Sequence, residues 1–429
     1  MNPTRLGFFG MSHLGLVYST VFANQGHEVS CYDNSAVLIS RLQKGLLPIN
    51  EPMLAELVMS NTYRLHYSCR IEDFSHCDLA FLSLDVATDS GGVSNLQEVI
   101  ELLAQIDSAL PPHVPLVILS QIPMGFCAEQ SKSRSRNIIY QVETLVFGNA
   151  VDRANMPERI IVGTTSKNNE LPTIYQSILD KFNCPLFIMS YESAELCKMA
   201  INFLLASNVT STNFLSAICE MVGANWNQIV PALRSDRRIG EFAYLTPGLG
   251  ISGGNLERDV SALRKVASKN KSSYANFAKV IQKMSQQQKN WPQRHFEQYL
   301  DYSRVDSLKI GIWGMSYKEN TDSIKNSPSI EFIRSLPDNV SVIAFDPLVK
   351  SIPVTDKDLQ FSEDQFKMLD ALDALFILTP WDHFRRRLSD VLRYFNGTLI
   401  VDPFALIDMD IVVPPSIKLV VLGNAEVLS

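Results

Sequence analysis

Short apolar runs at residues 6–9, 28–32, 78–84, 114–120 and 159–162 alternate with segments of helical periodicity over the first third of the chain. Near-continuous apolar runs bounded by helices predict a parallel sheet with crossover helices on both faces. The pattern then changes. Residues 191–223 predict one long helix, with Leu196, Met199, Phe203 and Leu204 on its buried side. More helix follows, including 272–288, until the region of Pro292 and Arg294 interrupts the pattern. A second alternating block has runs at 308–313, 341–345, 374–379, 398–401 and 418–422. The expected fold class is α/β, with two Rossmann-like doubly wound domains joined by a long central helix and a small helical domain. The boundaries fall at 1–190, 191–300 and 301–429.

At 429 residues the chain exceeds what one core usually supports, and an apolar share of 46% supplies several. A net charge of -7 argues against a polyanion-binding protein, so no nucleic-acid partner is expected and anionic ligands must be held locally. The seven cysteines are odd in number and match neither a disulfide framework nor a zinc site, so no metal is expected. No leader-like start and no run of about 18 apolar residues is present, which gives the expectation of a cytoplasmic protein without membrane contact.

Two distant stretches read almost alike: Gly7-Phe8-Phe9-Gly10-Met11-Ser12-His13 and Gly311-Ile312-Trp313-Gly314-Met315-Ser316-Tyr317. Each is a strand running into a glycine turn, a junction that attracts phosphate when a helix follows, and two of them suggest two nucleotide sites. In the first, Gly10, Ser12 and Gly15 hold the positions of G-x-G-x-x-G, and Asp33 closes the next strand where ribose hydroxyls are read. Asp33 favours NAD over NADP, because a carboxylate repels a 2′-phosphate. Ser12 replaces the glycine that lets backbone approach a pyrophosphate, and its side chain either crowds the cofactor or hydrogen-bonds its phosphate. A tight strand-to-helix turn would need glycine in any case.

A third glycine-rich stretch, Pro247-Gly248-Leu249-Gly250-Ile251-Ser252-Gly253-Gly254-Asn255-Leu256-Glu257-Arg258-Asp259, ends in charge and predicts a fixed ligand loop rather than a loose surface one. Together with Ala194-Glu195-Leu196-Cys197-Lys198-Met199-Ala200-Ile201-Asn202, Arg238-Ile239-Gly240 and Tyr317-Lys318-Glu319-Asn320-Thr321-Asp322, it resembles the UDP-glucose/GDP-mannose dehydrogenase family over nearly the full length. The family signature is close to G-x-G-F-G-G-S-C-F-P-K-D. Members oxidise C6 of a nucleotide-sugar from alcohol to acid with two NAD, and a cysteine captures the intermediate aldehyde.

That cysteine position is Asn255 here, and an amide nitrogen is no nucleophile because its lone pair is delocalised. Lys198 and Asn202, four apart and hence on one helix face, match the pair that polarises the reacting oxygen and orients water. Asp259 matches the carboxylate completing that set, and Glu143 the glutamate that acts on water or thioester. The resemblance also implies cofactor contacts from Gly10, Ser12, His13, Leu14, Gly15, Asp33, Thr88 and Gln121. Substrate contacts are implied at Gly250, Gly253, Arg238, Lys318 and Lys325. Arg238 either reaches a neighbouring subunit's ligand or caps a helix, and a homodimer is implied. Departures are Gln121 for a threonine, Phe147 for a second glutamate, Arg258 for a lysine, Lys325 for an arginine and Phe404 for another. Trp381 and Phe384 read as core.

The expected activity is NAD-dependent oxidation of a nucleotide-sugar, stopping at the aldehyde or oxidising its hydrate without a covalent step. A silent binding or regulatory protein and a redox-neutral, epimerase-like enzyme are the alternatives.

Overall fold

The computed structural model describes residues 3–86, 94–165, 170–301, 308–353 and 357–424. The chain divides into two compact units, 1–201 and 202–429. One helix, Tyr191–Val222, begins in the first and ends in the second.

The first unit holds β1 (Arg5–Phe9), β2 (Glu28–Tyr32), β3 (Leu65–Ser68), β4 (Leu79–Leu82), β5 (Leu116–Ile118), β6 (Ile138–Gln141), β7 (Ile160–Gly163) and β8 (Leu186–Met189). Their order in the sheet is β3-β2-β1-β4-β5-β6-β7-β8, and only the β6–β7 pair is antiparallel. The central strands are buried on both faces because helices cover each side, which is why β1 and β4 read as unbroken apolar runs. The order reverses between β1 and β4, so the crevice at their carboxyl ends is where a doubly wound sheet offers a ligand site.

The second unit contains β9 (Leu308–Trp313), β10 (Val340–Phe345), β11 (Leu359–Phe361), β12 (Ala374–Ile377), β13 (Arg386–Arg387), β14 (Leu399–Val401), β15 (Ile407–Asp408) and β16 (Lys418–Val420). Six of these form an all-parallel sheet in the order β11-β10-β9-β12-β14-β16, and β13 pairs with β15. Trp381 and Phe384 are core residues, as expected.

One expectation needs correction. Leu196 and Leu204 are exposed, while Met199 is buried, so the buried side of the long helix differs from the one assigned. Pro292 does follow a break, since the helix Ala275–Lys289 is capped at Asn290. It occupies the first turn of the helix Trp291–Tyr299, where its missing N–H costs nothing. Strands β3, β6 and β8 were not among the runs read from the sequence, and each is only four residues long.

Candidate functional site

The helix His13–Asn24 starts directly after the first glycine turn. Gly10 has φ +99, and a Cβ there would lie 2.6 Å from the Leu84 side chain. A Cβ on Gly15 would come within 2.0 Å of the Gly10 carbonyl oxygen, so the third glycine of the motif is required for the helix to sit against β1. Ser12 directs its hydroxyl at the Ser83 carbonyl, 2.7 Å away, and so spends its proton inside the protein. The Asp33 carboxylate accepts from Met11 N and Ser35 N, both at 2.9 Å. Beside it lies a hollow of about 120 Å³ lined by Gly10, Tyr32, Asp33, Asn34, Leu84 and Glu101 among others. A left-handed glycine, a ribose-reading carboxylate and an adjoining hollow fit the adenosine end of a dinucleotide.

The diphosphate end is less ordinary. The Asp85 carboxylate accepts from His13 N at 3.2 Å, at the first residue of the helix. Asp85 is exposed at the surface, yet the protein atoms crowding its carboxyl push it above the usual range, with His13 and the His13 N–H opposing the rise. The buried His13 ring packs on Phe147 at 4.2 Å, and its Nε2 stands 3.8 Å from Glu51 Oε1. Leu14, the second residue of that helix, is buried. Gln121 follows β5, and Thr88 lies outside the described residues.

Two polar pairs ride on successive turns of the long helix. Lys198 is 7% exposed and donates to the Glu143 carbonyl at 2.8 Å, with the Glu143 carboxylate at 3.6 Å. Glu143 is itself buried, and its carboxylate also accepts from Leu145 N, which fixes the turn after β6. One turn on, Asn202 Nδ2 donates to Asp259 Oδ2 at 2.6 Å, and Arg258 Nε reaches Asp259 Oδ1 at 3.3 Å. Asp259 is 1% exposed. A carboxylate buried this deeply needs such donors, because water cannot reach it.

Glu195, on the same helix, had no assigned part in the sequence reading. Its buried carboxylate accepts from Gly125 N at 2.6 Å and Cys127 N at 2.9 Å, capping the helix Phe126–Lys132. Cys197 is half-buried against the core of the first unit and lies about 100° around the helix from Lys198.

The glycine-rich loop is pinned along its length. Gly248 N donates to Asn213, Ile251 N to Ser285 Oγ, Gly253 N to the Lys325 carbonyl, and Ser252 Oγ to the Tyr317 carbonyl. Gly250 is a close-approach glycine, since a Cβ would meet the Ser285 carbonyl at 2.5 Å. At Gly253 it would meet the Tyr317 ring at 2.8 Å, and at Gly254 the Lys325 ammonium at 2.9 Å. Asn255 is exposed and opens the helix Asn255–Lys269, so it sits at a positive helix end with the Lys325 ammonium beside the preceding residue. Lys318 lies 5.9 Å from the Tyr317 ring. Arg238 is paired with Asp236 at the exposed end of the helix Trp226–Ser235.

The second glycine turn differs from the first in that its N–H groups are taken up by a side chain of the protein. Asp346 Oδ2 accepts from Met315 N, Ser316 N, Ser316 Oγ and Trp381 Nε1, and its Oδ1 accepts from Leu348 N and Val349 N. A buried internal carboxylate already fills the nest, and no helix begins there.

Three successive domains of one family cover most of the chain. The NAD-binding domain of the UDP-glucose/GDP-mannose dehydrogenase family matches residues 4–183, its central domain 192–287 and its UDP-binding domain 311–409. The chain belongs to this family. Its NAD-binding domain makes NAD the cofactor, and members of the family are NAD-dependent nucleotide-sugar dehydrogenases. Relatives include a UDP-glucose 6-dehydrogenase of Rickettsia bellii, 29% identical over 394 residues that cover 88% of this chain and 89% of that one. Another, TuaD of Bacillus subtilis, also a UDP-glucose 6-dehydrogenase, is 27% identical over 93% of this chain and 88% of its own. A UDP-glucose dehydrogenase structure from Pyrobaculum islandicum superposes with a TM-score of 0.84 at 21% identity, covering 95% of this chain and 98% of that one. At that identity the likeness carries the fold alone.

Proposed function

We propose that this family member oxidises the hydroxymethyl group of a nucleotide-sugar to the aldehyde and stops there. The observation that supports the reading is the presence of two buried pairs, Lys198 with Glu143 and Asn202 with Asp259, and the reading places Asn255 where the family's nucleophile would stand. A binding protein without turnover needs neither pair, and burying four such groups without use costs stability. The relatives' activity makes UDP-sugars the first substrates to try.

Bound NAD supplies a two-electron acceptor. Lys198 and Asn202 each carry an N–H beyond those spent on Glu143 and Asp259, and these donate to the reacting oxygen as negative charge develops on it. Asp259 receives the hydroxyl proton. Glu143 holds the Lys198 ammonium in place. Gly253, Lys318 and Lys325 bind the nucleotide's phosphates, and Arg238 serves the partner's ligand in a homodimer. No sulfur participates, since Cys197 faces away from Lys198. The exposed apolar face of the long helix supports the dimer, and seven unpaired thiols suit a reducing, cytoplasmic compartment.

Counting NADH against sugar nucleotide tests this. One equivalent with an aldehyde product is expected, and two equivalents with an acid would sink the proposal. In Asn255→Cys the new thiol stands at a helix N-terminus beside the Lys325 ammonium, so it titrates below about 8.5. Acid formation should then appear, with the second NADH equivalent.

A further inference from the structure

The first turn of the helix His13–Asn24 is the seat a dinucleotide's diphosphate takes in this kind of domain, yet it already carries an anion. Asp85 follows β4, on the far side of the crevice from the glycine turn, and its carboxylate accepts from the N–H of His13 at 3.2 Å. It faces the Ser12 hydroxyl and the His13 ring on that helix, and the Glu143 carboxylate beyond β6. Asp85 lies against the orphaned end of an otherwise ordinary nucleotide turn. Ser12 compounds the effect, because its side chain stands where a glycine would leave room.

We propose that Asp85 is an affinity-determining residue that occupies the diphosphate's place at this helix end, so that any nucleotide bearing a diphosphate must displace or neutralise it. Two phosphate charges cannot settle beside an ionised carboxylate at the same helix end without losing much of the attraction that end offers, even though Asp85 is exposed to solvent. The chain's grip on NAD is therefore weak and resides mainly in the adenosine end, at Asp33 and the hollow beside it. The raised carboxyl of Asp85 agrees with a site where charge is poorly tolerated.

Calorimetric titration of the full-length protein with adenosine, AMP, ADP and NAD tests this, comparing wild type with Asp85→Asn and Asp85→Ala. Both substitutions should tighten ADP and NAD binding tenfold or more while leaving adenosine within about twofold. Asn keeps an oxygen for the His13 N–H, so it preserves the helix start if Ala lowers thermal stability. The proposal is overturned if ADP and NAD bind equally or more weakly in Asp85→Asn, if adenosine gains as much as ADP, or if no nucleotide binds either protein. A failure of the aldehyde-forming reading would instead be seen in NADH counts and products, which this titration does not touch.

Discussion

At the scale of single residues, Lys198 is the clearest case of a side chain whose position demands an explanation. An ammonium that is 7% exposed survives because a carbonyl and a carboxylate of Glu143 meet it. Lys198→Met should abolish turnover and also destabilise the protein by about 3 kcal/mol, since Glu143 is then buried without its partner. Adding Glu143→Leu should recover much of that loss in urea denaturation while leaving activity absent, a coupling that a pair of independent surface charges would not give. Lys198 and Asn202 were singled out through the family motif they resemble, and their four-residue spacing added only that both side chains lie on one helix face. Asp85 was not. It belongs to no motif, and its meeting with His13, 72 residues away, exists only because β4 lies beside β1. Glu195 was hidden for a similar reason, since a carboxylate within a helical segment gives no sign that it caps another helix.

Elements tell a different story about what a sequence can declare. The long helix was plain from its length, but its buried side was misjudged because apolar residues surround it almost completely. Leu196, Leu204, Phe214, Leu215, Met221 and Val222 are all exposed and at 100° per residue fall within a sector of roughly 120°, with Leu205 exposed about 80° beyond its edge. We propose this apolar face as the surface on which two copies of the chain associate. Leu204→Glu combined with Phe214→Glu should therefore yield monomers in sedimentation experiments, whereas unchanged dimers would place the interface elsewhere. The fold itself should tolerate the change, shifting stability by about 0.5 kcal/mol or less per exposed site.

Across the whole molecule, one device has been used twice with opposite results. Each sheet places an aspartate at the end of the strand next to its glycine turn: Asp33 after β2 and Asp346 after β10. Asp33 satisfies two N–H groups and borders a hollow, while Asp346 takes six donors and is sealed by Trp381. The twin sequences were legible, but which twin stays open was decided by packing that no local motif encodes. Asp346→Asn turns an amide against backbone donors, and should cost about 3 kcal/mol in urea denaturation while leaving nucleotide affinity of the folded protein unchanged. The Glu195 clasp has a practical corollary. Glu195 fastens the backbone of Gly125 and Cys127 to the helix that bears Lys198, three residues before the ammonium. Anyone diversifying residues 121–127 to alter selectivity should therefore hold position 195 constant, or the library will shift Lys198 along with its intended target.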